Sequence, residues 1–331
     1  MVIISNCVKK TKKTAEELVD MLCNKKGVHF DLMSKEEAAY YLYNKNNYLR
    51  AASYRKNFDK YTSGEHAGKY IHLDFAYLAE LSALDMYLRS YILPMCIDIE
   101  HAMKVKIISA IEKNPNEDGY SICDEFLKKY SYIKDSIAEK ADSSFTGNLI
   151  DKYFNLCYVF DNRPENNHMD ICIQSCDCPI WVLTEIIGFN SLIKFIRFYN
   201  EKYPNSININ TAVLNPVRSL RNACAHNNCL LNDLHPQNTR PPELISNFVK
   251  KIPDIKKDER KKKLKCRPLF EFTCLIYLYK KVVPESVRTQ RIKELREFVD
   301  SRLYKHIDYF KENRLISTSL NFMKKLLDNS L

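Results

Sequence analysis

Apolar residues recur every three or four positions along much of the chain, which is the pattern of amphipathic helices. The apolar face of the clearest stretch consists of Tyr77, Leu81, Leu84, Leu88 and Tyr91. Pro94 is predicted to end this helix, because proline lacks the N–H that the helix interior needs. A second helix is predicted to follow it, with an apolar stripe made of Ile99, Met103, Ile107 and Ile111.

Capping residues mark the ends of other predicted helices. At the N-terminus, helices are expected over 14–24 and 34–43, and Ser34 with Glu37 matches a capping box. Asn215 and Pro216 are typical of the first two positions of a helix, so a helix is expected to begin there. The apolar segment 181–199 is expected to form the core of the main bundle.

Four segments follow from these patterns. They are an N-terminal helical segment with aromatic and basic residues (1–72), a helical core (73–235), an exposed basic excursion (236–268) and C-terminal helices (269–331). The irregular, polar stretch from about 114 to 179 is expected to be an insertion of short helices within the core. We find no internal repeat and expect few strands or none, so the predicted fold class is all-α.

Composition narrows the function classes. The chain has 331 residues with only 6 Gly and 12 Pro, and neither a G-x-G-x-x-G nor a P-loop pattern is present. A Rossmann or P-loop enzyme is therefore not expected. No apolar run reaches about 18 residues, and the start of the sequence lacks the features of a secretory signal. We expect a cytoplasmic protein without membrane contact and without a cofactor.

Twelve cysteines occur in the chain, and in the cytoplasm they are expected to be reduced thiols. His168 with Cys172, Cys176 and Cys178 offers four potential zinc ligands, but the spacing lacks a C-x-x-C pair. Ordinary free thiols are the favoured interpretation, and no metal site is predicted. Cys224 is expected to be a small core residue of its helix.

Charge is unevenly distributed along the chain. The net charge is +10, and the segment from 256 to 267 carries eight cations against Asp258 and Glu259. The eight are Lys256, Lys257, Arg260, Lys261, Lys262, Lys263, Lys265 and Arg267. A smaller cluster is formed by Lys9, Lys10, Lys12 and Lys13. Such clusters either contact the phosphates of RNA or form a solvated loop, and charge alone leaves both open.

One motif carries potential chemistry. Arg221 and His226 form R-x-x-x-x-H in the segment SLRNACAHNN. Five positions apart on an unbroken helix they would point about 140° apart, but Asn227 and Asn228 favour an end of the helix at this point. Asn222 lies four residues before His226 and is a candidate to orient its ring. A histidine can move a proton and an arginine can hold a phosphate, which suits attack of a ribose 2′-OH without a metal. An Arg and a His that simply complete a helix end remain the alternative.

The segment LRNACAHNNCLLN resembles LRN-x-x-AH-x-x-x-LWN of Abi-type abortive infection proteins, the group that includes AbiD and AbiF. SKEEAAYYLYNKNNYLRAASYRKNF, the helices that carry Asp85, Arg89 and Glu100, and PIWVLTEIIGFNSLIKFI are similar to other segments of that family. The likeness runs with gaps from about residue 30 to 235. Leu231 replaces the family's usual aromatic residue, the arginine often found after the glutamate is missing around His101 to Lys104, and the last 95 residues match no family we recognise.

The resemblance implies a HEPN-like helical bundle and a HEPN ribonuclease of antiviral defence or a toxin–antitoxin system, with Arg221, Asn222 and His226 at its site. Cleavage needs a base and an acid, so two copies in a homodimer are expected to share one cleft. A small structured RNA is a further potential partner. The competing hypothesis is a non-catalytic RNA-binding module. Tyr48 and Tyr54 are candidates for stacking on bases, although most tyrosines are expected in the core.

Overall fold

The fold is described from a computed structural model, which covers residues 11–160, 169–238 and 240–329. Helix makes up 65% of the structure, and the only sheet in the part described has two strands. The predicted all-α class is therefore confirmed. In chain order the helices are α1 (Ala15–Lys26), α2 (Lys35–Tyr40), α3 (Tyr48–Ser53), α4 (Phe75–Glu112), α5 (Ser121–Lys129), α6 (Tyr132–Ala138), α7 (Gly147–Tyr153), α8 (Ile180–Ile186), α9 (Phe189–Lys202), α10 (Thr211–Ala225), α11 (Glu243–Lys250), α12 (Lys257–Lys263), α13 (Arg267–Val282), α14 (Glu285–Phe298) and α15 (Arg314–Asp328).

Two compact units are built from segments that are distant in sequence. Unit 1 combines Met1–Ile92, Ala223–Thr273 and Gln290–Leu331, and unit 2 combines Leu93–Asn222 and Cys274–Thr289. Of the four expected segments, 1–72 and 236–268 lie within unit 1, whereas 73–235 and 269–331 are divided between the two units. Among the described residues, no helix is both long enough and apolar enough to span a membrane.

One of the first helices of unit 1 begins with the cap that the sequence predicted. The capping box of Ser34 and Glu37 is confirmed, since the Ser34 hydroxyl accepts from the Glu37 N–H at 3.2 Å and the Glu37 carboxylate accepts from the Ser34 N–H at 2.9 Å. The core of this unit includes Phe75, whose ring stacks on Phe30 with 5.7 Å between centroids. Burial of such apolar side chains supplies most of the stabilisation of the helices.

Unit 2 has its own aromatic core on α5 and α9. Phe126 and Phe195 are fully buried and meet edge to face with 5.0 Å between ring centroids. Most of the dense apolar segment 181–199 is therefore core, as predicted, but Trp181 at its start is 49% exposed, and the segment is divided between α8 and α9 around Ile187 and Gly188. Gly188 is the N-cap of α9.

Two prolines lie inside helices, which the sequence analysis did not predict. Pro94 does not end a helix, because α4 continues from Phe75 to Glu112 without a break. Apolar side chains on both sides of it are buried, including Ile92 at 1% exposure and Met95 at 0%. Their burial outweighs the one backbone hydrogen bond that proline removes.

Pro216 likewise does not begin a helix. Helix α10 begins five residues earlier, at Thr211, and the side chain of Asn210 accepts from the Ala212 N–H at 2.9 Å. The expected start at Asn215 was wrong, because an alternative cap lies upstream and Val213 and Leu214 are fully buried.

The insertion at 114–179 contains short helices, as expected, and also a β-hairpin. Strands β1 (Phe154–Phe160) and β2 (Met169–Cys176) pair antiparallel, and Cys157 lies opposite Cys172. These two cysteines form a disulfide, which corrects the expectation that all the thiols are free. His168, the fourth residue of the zinc hypothesis, lies outside the described residues. Within those residues no cluster of three or more His, Cys, Asp or Glu side chains could hold a metal ion.

Candidate active site

Helix α10 ends where the sequence predicted. Asn227 has φ 58°, a left-handed conformation that asparagine tolerates better than most residues. Its N–H donates to the Cys224 carbonyl at 3.0 Å, and the N–H of Asn228 donates to the Ala223 carbonyl at 2.8 Å. This pair of bonds is a Schellman motif. His226 is therefore the cap residue between the last helical turn and the left-handed residue, and it is exposed.

Arg50 holds the residue that follows His226. Its Nη2 atom donates to the Asn227 carbonyl at 2.6 Å and to Asn227 Oδ1 at 3.0 Å. Arg50 lies on α3, 177 positions away in sequence from Asn227. A single guanidinium thus fixes both the backbone and the side chain at the left-handed position.

A buried carboxylate binds the next part of the turn. The Asp85 side chain is fully buried on α4, and its Oδ1 accepts from the N–H groups of Leu230 and Leu231, both at 2.9 Å. Its Oδ2 accepts from the Tyr54 hydroxyl at 2.9 Å and from Arg89 Nη1 at 2.5 Å. These bonds make the carboxylate the centre of a buried network, in which every partner is a donor.

Arg89 extends the same network to the turn. Besides Asp85, its Nη1 donates to the Asn228 carbonyl at 3.1 Å. Burial raises the pKa of Asp85, while Arg89, Tyr54 and the two peptide N–H groups oppose that rise. The structure buries both side chains of this pair, with Arg89 at 6% exposure.

Asn57 also binds the backbone of the segment that follows His226. Its Nδ2 donates to the Leu231 carbonyl, and its Oδ1 accepts from the Leu234 N–H, both at 2.8 Å. Asn57 is itself buried, and Asn313, which caps α15, donates to its carbonyl at 2.8 Å. We call residues 226–234 the His226 turn. Arg50, Asn57 and Asp85 hold its backbone, and the imidazole projects from a rigid support.

Arg221 lies in unit 2, where it faces a glutamate of α4. Its Nε atom is 3.6 Å from Glu100 Oε2, and the Glu100 side chain is only 14% exposed. Burial raises the pKa of Glu100, and Arg221 and Lys104 oppose the rise. Lys104 itself forms an ion pair with Glu185 at 2.8 Å. This contact is an ion pair and not a hydrogen bond, since Arg221 Nε has no hydrogen-bond partner among the described residues, and about a third of the Arg221 side chain remains exposed.

The predicted site residues lie in the last turns of α10 and directly after its end. The division between the units falls between Asn222 and Ala223, so Arg221 and Asn222 belong to unit 2 and His226 to unit 1. Asn222 was expected to orient the His226 ring, and in the structure its Oδ1 accepts from Arg221 Nη1 at 3.4 Å. Its role toward His226 stays a prediction.

The basic segment from 256 to 267 is more ordered than the expected exposed excursion. It contains α12, and apolar residues around it are buried, including Ile255 and Leu264. Six of its eight cations are exposed and Arg260 is half-buried. Lys12 and Lys13 of the smaller cluster are also exposed, and Lys9 and Lys10 lie outside the described residues.

Lys263 differs from the other cations of this segment. It is 5% exposed, and its Nζ donates to Thr318 Oγ1 at 2.6 Å and to Ser319 Oγ at 2.9 Å on α15. Burial lowers its pKa to about 8. In this structure the side chain is turned away from solvent, so it cannot contact RNA as the sequence predicted.

Three smaller expectations can be compared with the structure. Cys224 is buried, which confirms it as a core residue of its helix, and burial raises its pKa to about 12. Tyr54 is fully buried and donates to Asp85, so it cannot stack on a base. Tyr48 is half-buried, with the Arg55 guanidinium 5.6 Å from its ring centroid.

Sequence reasoning did not single out Arg50 or Asn57, although both lie in the segment SKEEAAYYLYNKNNYLRAASYRKNF that resembles the family. Asp85 and Glu100 were singled out only through a resemblance. The signal for Asp85 was a charged pair four residues apart within an apolar helix, which is unusual for a buried position.

Comparison with known families gives one finding. The family model described as Abi-like protein matches residues 41–232, which is more than half of the chain. The match includes Arg50, Asn57, Asp85, Glu100, Arg221 and His226. Searches of curated proteins and of solved structures give no match.

Proposed function

The chain belongs to the Abi-like protein family, and from that premise we propose that it is a metal-independent, HEPN-type endoribonuclease. Family membership suggests involvement in abortive infection defence, and the ribonuclease would act there or in a toxin–antitoxin system. The observation that carries the proposal is an exposed histidine on a turn whose backbone is held by Arg50 and by two buried side chains, Asn57 and Asp85. Such a support is what proton transfer at a fixed position requires.

The residues have defined roles in this proposal. One His226 removes the proton from a ribose 2′-OH, and the resulting oxygen attacks the adjacent phosphorus. Arg221, which forms an ion pair with Glu100, holds the phosphate and stabilises its developing charge. A second His226, from the other copy in a homodimer, protonates the departing 5′ oxygen. The products are a 2′,3′-cyclic phosphate and a 5′-OH end.

The alternative is a non-catalytic module that grips RNA. It is favoured by the exposed cations of the basic segment, which would serve binding without any chemistry. In that case Arg221 and His226 would contact phosphate only.

Cleavage of single-stranded RNA in EDTA tests the proposal. The wild-type chain should give products with 2′,3′-cyclic ends, and His226→Ala should reduce the rate by at least about 100-fold. His235→Ala is a matched control, because His235 is an exposed histidine of the same unit and pairs with Asp233 at 3.1 Å. Arg221→Lys should lower the rate while it keeps the charge, since lysine lacks the fork.

Two outcomes would count against the proposal. Intact RNA together with measurable binding would favour the RNA-binding module. Full cleavage activity of a protein that light scattering shows to be monomeric at the assay concentration would contradict the shared cleft.

A further inference from the structure

A cavity of about 510 Å³ lies in unit 1, between the end of α1 and the loops that follow it. Its lining includes His29, Phe30, Tyr61, His66 and Lys69. None of these residues takes part in the contacts of the His226 turn described above. The volume is in the range of small-ligand sites, which is 300–1,000 Å³.

Backbone hydrogen bonds fix the walls of this cavity. The loop 61–69 closes on itself, because the Tyr61 N–H donates to the Lys69 carbonyl at 3.0 Å and the Gly68 N–H to the Tyr61 carbonyl at 2.8 Å. The Tyr70 N–H then donates to the Lys26 carbonyl at 2.8 Å, which ties the loop to the end of α1. The cavity is thus preformed, and a ligand would lose little binding energy to ordering its walls.

Glycine at position 27 allows Lys69 to take its place in the wall. Gly27 has φ 67°, and a Cβ atom built there would lie 2.8 Å from Lys69 Cβ. The stem of Lys69 therefore packs against a backbone that only glycine leaves open.

The lining carries more positive than negative groups. Lys35 and Lys69 both line the cavity, and Asp31 is the only lining carboxylate among the described residues. Lys35 forms an ion pair with Asp20 at 3.0 Å. No carboxylate in the described part of the chain forms an ion pair with Lys69, so its charge is available to an anion.

Aromatic rings stand beside these cations. Tyr61 and His66 are both exposed, with 5.7 Å between their ring centroids at an angle of 47°. Phe30 stacks on Phe75, which makes its ring a firm apolar part of the lining. Flat rings bind any nucleobase by stacking, and an ammonium group in the same cavity can donate hydrogen bonds to the phosphate of that nucleotide.

We propose that this cavity binds a phosphorylated nucleoside, with the base against Tyr61 and His66 and the phosphate on Lys69. The ligand is either a free nucleotide or the 5′-phosphorylated end of an RNA, since both present the same chemistry. The site is independent of the ribonuclease proposed above and does not require it.

Isothermal titration of the His226→Ala chain, in which the proposed cleavage should be suppressed, tests this site. AMP and UMP should bind with a Kd on the order of 100 µM, and adenosine at least about tenfold more weakly. A tetranucleotide with a 5′-phosphate should be compared with its 5′-OH form. If both mononucleotides and the 5′-phosphorylated tetranucleotide bind, the pocket accepts an RNA end, and if only the mononucleotides bind, the ligand is a free nucleotide.

Variants distinguish the predicted contacts from general charge. Lys69→Gln should weaken AMP binding about tenfold, whereas Lys56→Gln, which removes an exposed lysine of the same unit outside the cavity, should leave it unchanged. Asp31→Asn should strengthen it two- to threefold, about the effect expected of a removed repulsion. Tyr61→Ala should weaken AMP but not inorganic phosphate.

Each variant should keep the thermal unfolding midpoint of the parent, measured without ligand. Lack of binding of any nucleotide at millimolar concentration would overturn the proposal. So would equal effects of Lys69→Gln and Lys56→Gln, which would show binding to surface charge only.

Discussion

The His226 turn and the basic segment both belong to unit 1, and they are held in opposite ways. Arg50, Asn57 and Asp85 bind the peptide groups of the turn from distant parts of the chain. The basic segment presents six exposed cations, mostly on and beside the seven-residue helix α12. Fixed peptide groups suit chemistry that needs a side chain at one position, whereas exposed cations suit contact with the phosphates of an RNA of any sequence.

The largest expected change in stability comes from a substitution that removes a support of the His226 turn. Asp85→Ala leaves Arg89 buried without its partner and removes the acceptor of the Leu230 and Leu231 N–H groups. The free energy of unfolding should fall by about 3–5 kcal/mol, measured by urea denaturation. Asp20→Ala removes an exposed ion pair of the same unit and should cost less than about 1 kcal/mol. A similar small loss for both variants would mean that the turn is not held by the network.

An intermediate effect is expected at the one buried cation of the basic segment. Lys263→Met removes a charge that burial disfavours, and the partner hydroxyls stay satisfied because Thr318 and Ser319 donate to the Arg314 and Leu315 carbonyls. At pH 7 the variant should be as stable as the parent or more stable. Mutation of Lys263 to a charged or larger polar residue is not an equivalent test, because it would change the buried volume and polarity together.

The pH dependence of this difference follows from the lowered pKa. The amine titrates near pH 8 in the folded chain and near 10.5 unfolded, so between these values the unfolded chain binds more protons. Lys263 therefore adds stability to the wild type as the pH rises through this window. The advantage of Lys263→Met over the parent should shrink by about 2 kcal/mol from pH 7 to pH 10, in parallel urea titrations. A constant difference would contradict the buried, easily deprotonated amine.

The smallest effect on stability is expected at the exposed cations. Replacement of Lys261, Lys262 and Lys265 by Gln should leave the unfolding free energy within about 0.5 kcal/mol. It should reduce the slope of log affinity for single-stranded RNA against log salt by about 2, since each lost phosphate contact contributes about 0.7. Cleavage at saturating RNA should not change, if the chain cleaves RNA as proposed.

A matched triple variant, Lys25, Lys56 and Lys311 to Gln, removes the same charge from exposed lysines elsewhere in unit 1. An equal decrease of the salt slope in both triple variants would show that the basic segment contributes to RNA binding only through the overall positive charge of the protein.

Local signals predicted local structure well. The capping box at Ser34 depends on neighbouring residues only, and the end of α10 before Asn227 was recognisable from the two asparagines after His226, although Arg50 also binds Asn227. Both predictions are confirmed. The pattern around Pro94 and Pro216 misled, because the burial that keeps α4 and α10 continuous comes from side chains elsewhere in the chain. For the same reason Lys263 could not be told from its neighbours, although it alone reaches Thr318 and Ser319.

The sequence by itself determined the helical class, several helix ends, the R-x-x-x-x-H motif and the dense positive charge. These follow from periodicity, capping and composition, which act over a few residues. Only the tertiary structure decided that Arg50, Asn57 and Asp85 support the His226 turn and that Glu100 faces Arg221. Such contacts join residues more than 100 positions apart, and their partners are chosen by packing and by the need to satisfy every buried polar group, which no local pattern records.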